Sequence, residues 1–217
     1  MEFDAKSLFD LLTTPRVPDA DELDEAISRA VLRVLRHGDQ SVSEQHDYFG
    51  LYHMREFADV LRTHFKVLTE NDFAASLERV IESLIVAEKI EIRNGKIRAL
   101  YGHSLRGIIV GQLKWPEIPL FHATSKRHLD SILENGLRLQ GRIWVHLTSE
   151  IEYANRIFKN HSFDGPSVML KVDASRLEDH NVTFRRPNSH VWLASFIPPV
   201  GIEFCEPNDH SEINIQW

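Results

Sequence analysis

Two short stretches of this chain hold side chains suited to gripping a small anion. The first is Val34-Leu35-Arg36-His37-Gly38, and the second is Ile97-Arg98-Ala99-Leu100-Tyr101-Gly102-His103-Ser104. An arginine offers a planar fork of N–H donors that matches two phosphate oxygens, and a histidine or serine adds another donor. Gly102 lets the chain turn with no side chain in the way, so His103 and Ser104 can approach a substrate phosphate with backbone and side chain together. Each stretch also has an ordinary reading. Cations in the last turn of a helix complement its dipole, which alone accounts for Arg36 and His37. An arginine on the polar face of a hairpin needs no ligand either.

The elements that carry these residues follow from periodicity. Leu23, Ile27, Ala30, Val31, Val34 and Leu35 share one helical stripe. That pattern predicts a helix opened by an Asp19–Glu22 capping box and ended at Gly38. A short helix is expected over 54–62. Thr69 opens a third, with Phe73, Leu77, Val80, Ile81 and Leu84 on its buried side. Residues 89–100 then read as two alternating strands around Asn94-Gly95, the strongest short hairpin signal. Alternation sends Ile90, Ile92 and Ile97 to the core and Arg98 to the opposite face. Three helices followed by a hairpin read as a winged-helix-like lobe over 20–112, preceded by an acidic extension, 1–19. The stretch 111–118 is the expected boundary. Beyond it, strand-like runs dominate, with helices expected over 126–135 and 149–161, so 113–217 reads as an α+β lobe around a mixed or antiparallel sheet.

Composition narrows the partners. The 217 residues carry a formal net charge of −7, and the first thirty hold eight Asp and Glu against three Lys and Arg. A protein that coats nucleic acid without specificity needs a broad basic surface, so that class is excluded. Recognition of one phosphate by a few arginines is not. A winged-helix regulator needs a basic recognition helix, and the third helix sets Glu70, Asp72, Glu78 and Glu82 against Arg79 alone. Twelve histidines raise the question of a metal, but no pair stands at helical ligand spacing with carboxylate or cysteine support, and no metal is expected. The acidic N-terminus, the lack of a long apolar run and the single cysteine, Cys205, set the expectation of a cytoplasmic protein with no membrane contact.

Taken together, the motifs resemble those of the RNA 2′-phosphotransferase family, whose members complete tRNA splicing in fungi. Leu35-Arg36-His37 matches its first motif, and Ile97-Arg98-Ala99 with Gly102-His103-Ser104 its second. His122-Ala123-Thr124 is similar to a third. Gly136-Leu137, Gly141-Arg142 and Val145-His146-Leu147-Thr148 resemble a fourth, and Phe184, Arg186, Val191-Trp192-Leu193 and Ile197-Pro198-Pro199 a fifth. The resemblance implies an ADP-ribosyltransferase-like second lobe that takes NAD as co-substrate, an RNA acceptor with an internal 2′-phosphate, tRNA among the candidates, and a monomer. It assigns Arg36, His37, Arg98 and Arg142 to the reacting phosphate. His122, Thr124, Ser125, Gly136, His146, Thr148 and Val191 fall to the NAD side. Ser125 is expected to cap a helix facing the pyrophosphate. Val191 stands where protein-modifying relatives keep a glutamate, and a phosphate nucleophile needs no such base. The chain departs from the pattern at Leu100-Tyr101, Ala123 and Ser189-His190. An ADP-ribosyltransferase that leaves its adduct on a nucleic-acid end, a protein or a small molecule is the alternative reading.

Overall fold

A computed structural model describes residues 19–38, 50–160 and 166–205. The chain divides into two compact units between Ile109 and Val110.

In the first unit, α1 (Ala20–His37) begins at the capping box the sequence predicts. The Asp19 side chain accepts from the Glu22 amide, and Glu22 accepts from the Asp19 amide. The expected stripe is buried together with Ala26. β1 (Tyr52–His53) leads into α2 (Met54–His64), and α3 (Glu70–Val86) starts at Thr69, whose hydroxyl accepts from the Asp72 amide. Helix α1 packs on α3 through Leu23, Ile27, Ala30, Val80 and Leu84, which share one core with Tyr52, Phe57, Phe65, Ile90 and Ile97. The hairpin forms as expected from β2 (Ile90–Arg93) and β3 (Lys96–Ala99). Asn94 and Gly95 both have positive φ, which matches the turn to the strand twist. β1 adds to the other side of β3, giving a three-stranded antiparallel sheet ordered β1-β3-β2. One expectation fails: Ile92 is 42% exposed. It pairs with buried Ile97 beside the turn, but β3 is covered by β1 on its far side and Ile92 lies on the outer strand.

The second unit is built on a seven-stranded sheet in the order β10-β7-β5-β6-β9-β8-β4. Its strands are β4 (Gln112–Leu113), β5 (Leu120–Ser125), β6 (Val145–Thr148), β7 (Ser167–Val172), β8 (Phe184–Arg186), β9 (Val191–Ala194) and β10 (Ile202–Cys205). Every neighbouring pair is antiparallel, which decides between the two sheet types the sequence leaves open. β5 and β7 stay paired over six residues, whereas β5 meets β6 only at Phe121↔Thr148. The sheet is therefore loosened at its centre. Leu120, Leu147, Leu170, Val172, Trp192 and Ile197 fill the main core on one face. The helix α5 (Ile151–Asn160) covers Phe121 and Met169 through Ala154 on a second, smaller cluster; the expected end at His161 lies outside the described residues.

The helix expected over 126–135 is shorter than its pattern. A 3₁₀ turn, Lys126–His128, precedes α4 (Leu129–Asn135). Ser125 makes no side-chain cap bond and is instead the last residue of β5, opposite Ser167. The Lys126 amide donates to the Pro166 carbonyl at 2.7 Å. That bond continues the strand geometry past the position where a cap has to break it, so neither the cap nor a long helix dipole exists there.

Gly136 closes α4 with φ 80. A Cβ at this position falls 2.1 Å from the Ile197 carbonyl oxygen, in the bridge where Leu137 and Ile197 exchange backbone hydrogen bonds. Gly136→Ala is expected to destabilise the protein by at least about 2 kcal/mol, from left-handed strain and a backbone clash together. Urea unfolding of the variant measures this, and a midpoint equal to wild type removes the constraint.

Candidate functional site

The two cationic stretches meet in the first unit. Arg36 and His37 occupy the last turn of α1, and the segment after β3 returns to them because the Ser104 amide donates to the Arg36 carbonyl at 3.0 Å. His37 Nδ1 and Ser104 Oγ are hydrogen-bonded at 2.8 Å, joining residues 67 apart in sequence. The Arg36 side chain lies flat against Gly102. A Cβ there falls 2.8 Å from Arg36 Nε and 3.2 Å from its Cζ. Gly102 has φ 89 as well, so both backbone conformation and space demand glycine. Tyr101 stacks on the same guanidinium, with Cζ 5.0 Å from the ring centroid. Arg36 thus meets both the Gly102 backbone and an aromatic ring while its position remains half-buried.

Arg98 stands on β3 opposite Glu91 and forms an ion pair with it. The hairpin register makes this partner readable in sequence, since a two-residue turn at Asn94-Gly95 places 91 across from 98. Alternation along β3 gives the face Arg98 takes but not its cross-strand neighbour, and no local signal predicts the stacking of Tyr101.

His103 does not face solvent. It is 1% exposed, and its Nε2–H donates to the Ala99 carbonyl at 3.0 Å. A carbonyl partner fixes the proton on Nε2. Loss of hydration lowers its pKa to about 4, the Ala99 bond opposing this and the Arg36, Arg98 and His37 charges adding to it. His103 is a neutral spacer beneath the cations, while Ser104 and His37 take the outer positions.

In the second unit, Arg142 lies on the loop before β6 and is exposed. Desolvation by its surroundings lowers its pKa from the usual value, and the group stays charged. Across the loosened β5–β6 seam His122 Nδ1 donates to the His146 main-chain carbonyl at 2.9 Å. Burial pushes the His122 pKa down, with that hydrogen bond opposing it, so His122 is a neutral ring. Thr124 and Thr148 are buried. The Thr148 hydroxyl donates to the His190 carbonyl at 2.6 Å and accepts from the Glu150 amide, which ties β6 and α5 to the turn before Val191. Asn188 Oδ1 accepts from the His190 and Val191 amides, and His190 Nδ1 pairs with Glu150 at 2.7 Å while its ring stacks on Tyr153. The Val191 side chain is buried, and Gly136 serves the Ile197 contact. Trp144 precedes β6 and is half-buried, with the Arg185 guanidinium 5.8 Å from its ring. Among the described residues no group of three His, Cys, Asp or Glu is placed to hold a metal ion, and no helix is long and apolar enough to cross a membrane.

The buried His103 sets a pH dependence. Its unfolded pKa is 6.5 and its folded value about 4, so the unfolded chain binds a proton first as pH falls. Stability from this group is complete above pH 6.5 and is lost between 6.5 and 4, a change of about 3 kcal/mol. His103→Gln keeps a donor for Ala99 and is expected to flatten this part of the profile. Urea unfolding at pH 6.5 and 4.5 compares the two proteins, and equal acid sensitivity refutes the assignment.

Comparison with known proteins adds an independent line. The family model "RNA 2′-phosphotransferase, Tpt1 / KptA family" matches residues 22–195. A protein of Acetivibrio thermocellus named "Probable RNA 2′-phosphotransferase" is 34% identical over 180 residues, covering 82% of this chain and 95% of its own length. One of the same name from Bacillus thuringiensis is 32% identical, covering 79% and 90%. Another from Methanosarcina barkeri is 29% identical, covering 82% and 83%. A match that spans both stretches of the cationic cluster and the seam of the second unit is more than shared composition can produce: this chain belongs to the RNA 2′-phosphotransferase family.

Proposed function

We propose that the protein is an NAD-dependent RNA 2′-phosphotransferase. The observation that carries this reading is the packing of Arg36 on Gly102 beside the His37–Ser104 bond. Two motifs far apart in sequence form one cationic cluster, a costly arrangement for a merely structural purpose. In this reading the first unit is a winged-helix-like lobe and the second an ADP-ribosyltransferase-like lobe that takes NAD. Three helices with a three-stranded sheet support the first assignment. A seven-stranded antiparallel sheet loosened between β5 and β6 supports the second. Cytoplasmic location and a monomeric state complete the proposal.

The reaction runs in two steps. A non-bridging oxygen of the RNA 2′-phosphate attacks the anomeric carbon of the nicotinamide ribose, and nicotinamide leaves with the bonding electron pair. The neighbouring ribose hydroxyl then attacks phosphorus, the bond to the RNA 2′-oxygen breaks, and that oxygen takes up a proton. The products are RNA with a free 2′-hydroxyl, nicotinamide and ADP-ribose cyclic phosphate. Nicotinamide is already a good leaving group, so the protein chiefly positions the nucleophile and neutralises charge at phosphorus. Arg36 is suited to this because its stacked, half-buried guanidinium loses little freedom on binding. Arg98 has to share its charge with Glu91, and the phosphate competes with that carboxylate. His37 and Ser104 add donors, and the family resemblance makes Arg142 a further candidate for neutralising the phosphate. His122, Thr124 and His146 hold the dinucleotide in this reading, with Gly136 and Thr148 keeping the strands around them in place. The buried Val191 supplies no base, consistent with an acceptor that is already an anion.

Incubation with NAD and a 2′-phosphorylated oligonucleotide is expected to release nicotinamide and remove the phosphate. Nicotinamide release with the phosphate retained as an adduct selects the ADP-ribosyltransferase alternative. Arg142→Ala is expected to lower kcat by about 100-fold or more with an unchanged circular dichroism spectrum. Gly102→Ala is expected to displace Arg36 and produce a loss of the same order. Normal turnover in either variant removes that residue from the site.

A further inference from the structure

The free edge of the seven-stranded sheet carries charge that the phosphate cluster does not use. Among the described residues β4 ends the sheet and pairs with β8 alone, through Gln112↔Arg186 and Leu113↔Arg185. Segments 110–116 and 183–190 contain Lys114, Arg185 and Arg186 and no Asp or Glu, the next acid along the chain being Glu117. These acid-free segments are a local reversal of sign in a chain of net charge −7, with Arg185 and Arg186 on opposite faces of β8. None of the three forms an ion pair among the described residues.

The arginines are pinned without being neutralised. Arg185 Nη1 donates to the Gly111 carbonyl at 2.8 Å, and its guanidinium lies over Trp144. Arg186 Nη2 donates to the Ser189 carbonyl at 3.0 Å and lies 5.3 Å from the Trp192 ring centroid. Carbonyl and ring partners hold each fork in place and leave its charge uncancelled. Beside them Trp115 is 38% exposed, and its ring makes a T-shaped contact with Phe184 at 5.2 Å between centroids, which holds a partly exposed aromatic ring at the surface. Leu113 next to it is 68% exposed.

Cations interleaved with an exposed ring suit single-stranded nucleic acid, where backbone phosphates meet the charges and a base stacks on the ring. A partner protein strand is a weaker fit, because β4 has only two residues and offers too short a template. We propose that the β4–β8 edge binds the single-stranded RNA on which the reacting 2′-phosphate is carried. Lys114 and Arg186 contact backbone phosphates, and Trp115, which packs on Phe184 on the Arg186 face of β8, stacks on one base. This inference rests on RNA being the acceptor. It gives an acidic protein a way to hold a polyanion: a narrow strip in place of a basic surface.

The test uses the full chain and a labelled single-stranded RNA of about twelve nucleotides lacking a 2′-phosphate, read by fluorescence anisotropy. Lys114→Glu removes an exposed side chain with no pairing to lose and is expected to raise Kd about tenfold. The slope of log Kd against log salt is expected to fall by about 0.7 or more. Trp115→Ala is expected to raise Kd about fivefold at unchanged slope, since stacking releases no counterions. In turnover, Lys114→Glu is expected to raise KM for a 2′-phosphorylated RNA of the same length, leaving kcat and the KM of a 2′-phosphorylated dinucleotide unchanged. Wild-type RNA affinity in Lys114→Glu, or an equal rise in KM for the dinucleotide, overturns the proposal. Wild-type protein that binds the RNA in this salt-dependent way but transfers no phosphate upholds the edge and sinks the phosphotransferase reading instead.

Discussion

Arg36 rests against the backbone of residue 102, and the first unit is arranged around that contact. A guanidinium can lie this close to a main chain only where no Cβ intervenes, and the positive φ of Gly102 turns the strand exit back toward the end of α1. From there the Ser104 amide reaches the Arg36 carbonyl, the His37 ring reaches the Ser104 hydroxyl, and the Tyr101 ring packs on the Arg36 guanidinium. The core beneath sets the distance. Tyr52, Leu35 and Ile97 are almost fully buried together, so the end of α1 and the strand β3 cannot drift apart without opening a cavity.

Concentrating cations at one place has a cost, and the unit handles it through burial and pairing. His103 sits under the cluster where a further positive charge would be repelled by Arg36 and Arg98, and desolvation keeps it neutral. Arg98 has Glu91 as a resident counter-ion, so the cluster is not left with bare like charges before a ligand arrives. In the proposed reaction a phosphate has to compete with that carboxylate, which tunes its affinity downward. In the second unit Thr148, Asn188 and Glu150 hold the turn that leads into β9 through hydrogen bonds to residues 190 and 191.

The acidic balance of the protein takes on a meaning in this light. A negative surface discourages indiscriminate attachment to nucleic acid, and what cationic character remains is gathered into small, structurally fixed groups. The first unit holds one such group around Arg36, and the sheet edge at β8 and β4 holds another.

Much of this was legible in the sequence, for reasons that are local. Capping at Asp19 and Thr69, the stripe from Leu23 to Leu35, the Asn94-Gly95 turn and the sites of most strands depend on residues within one or two turns of each other. Family membership was legible because short motifs keep their order whatever the fold does. Tertiary structure alone decided what depends on distant chain segments. It made the sheet wholly antiparallel, took Ser125 into β5 by offering the Pro166 carbonyl to the next amide, and left Ile92 exposed on an outer strand. It turned His103 inward, because only the packed unit determines which side of the chain after Gly102 faces water. It also gave Arg36 its aromatic cover and Arg98 its counter-ion. Residue type and spacing record which groups a chain owns; which of them meet, and in what dielectric, is settled by the packing of segments that sequence keeps far apart.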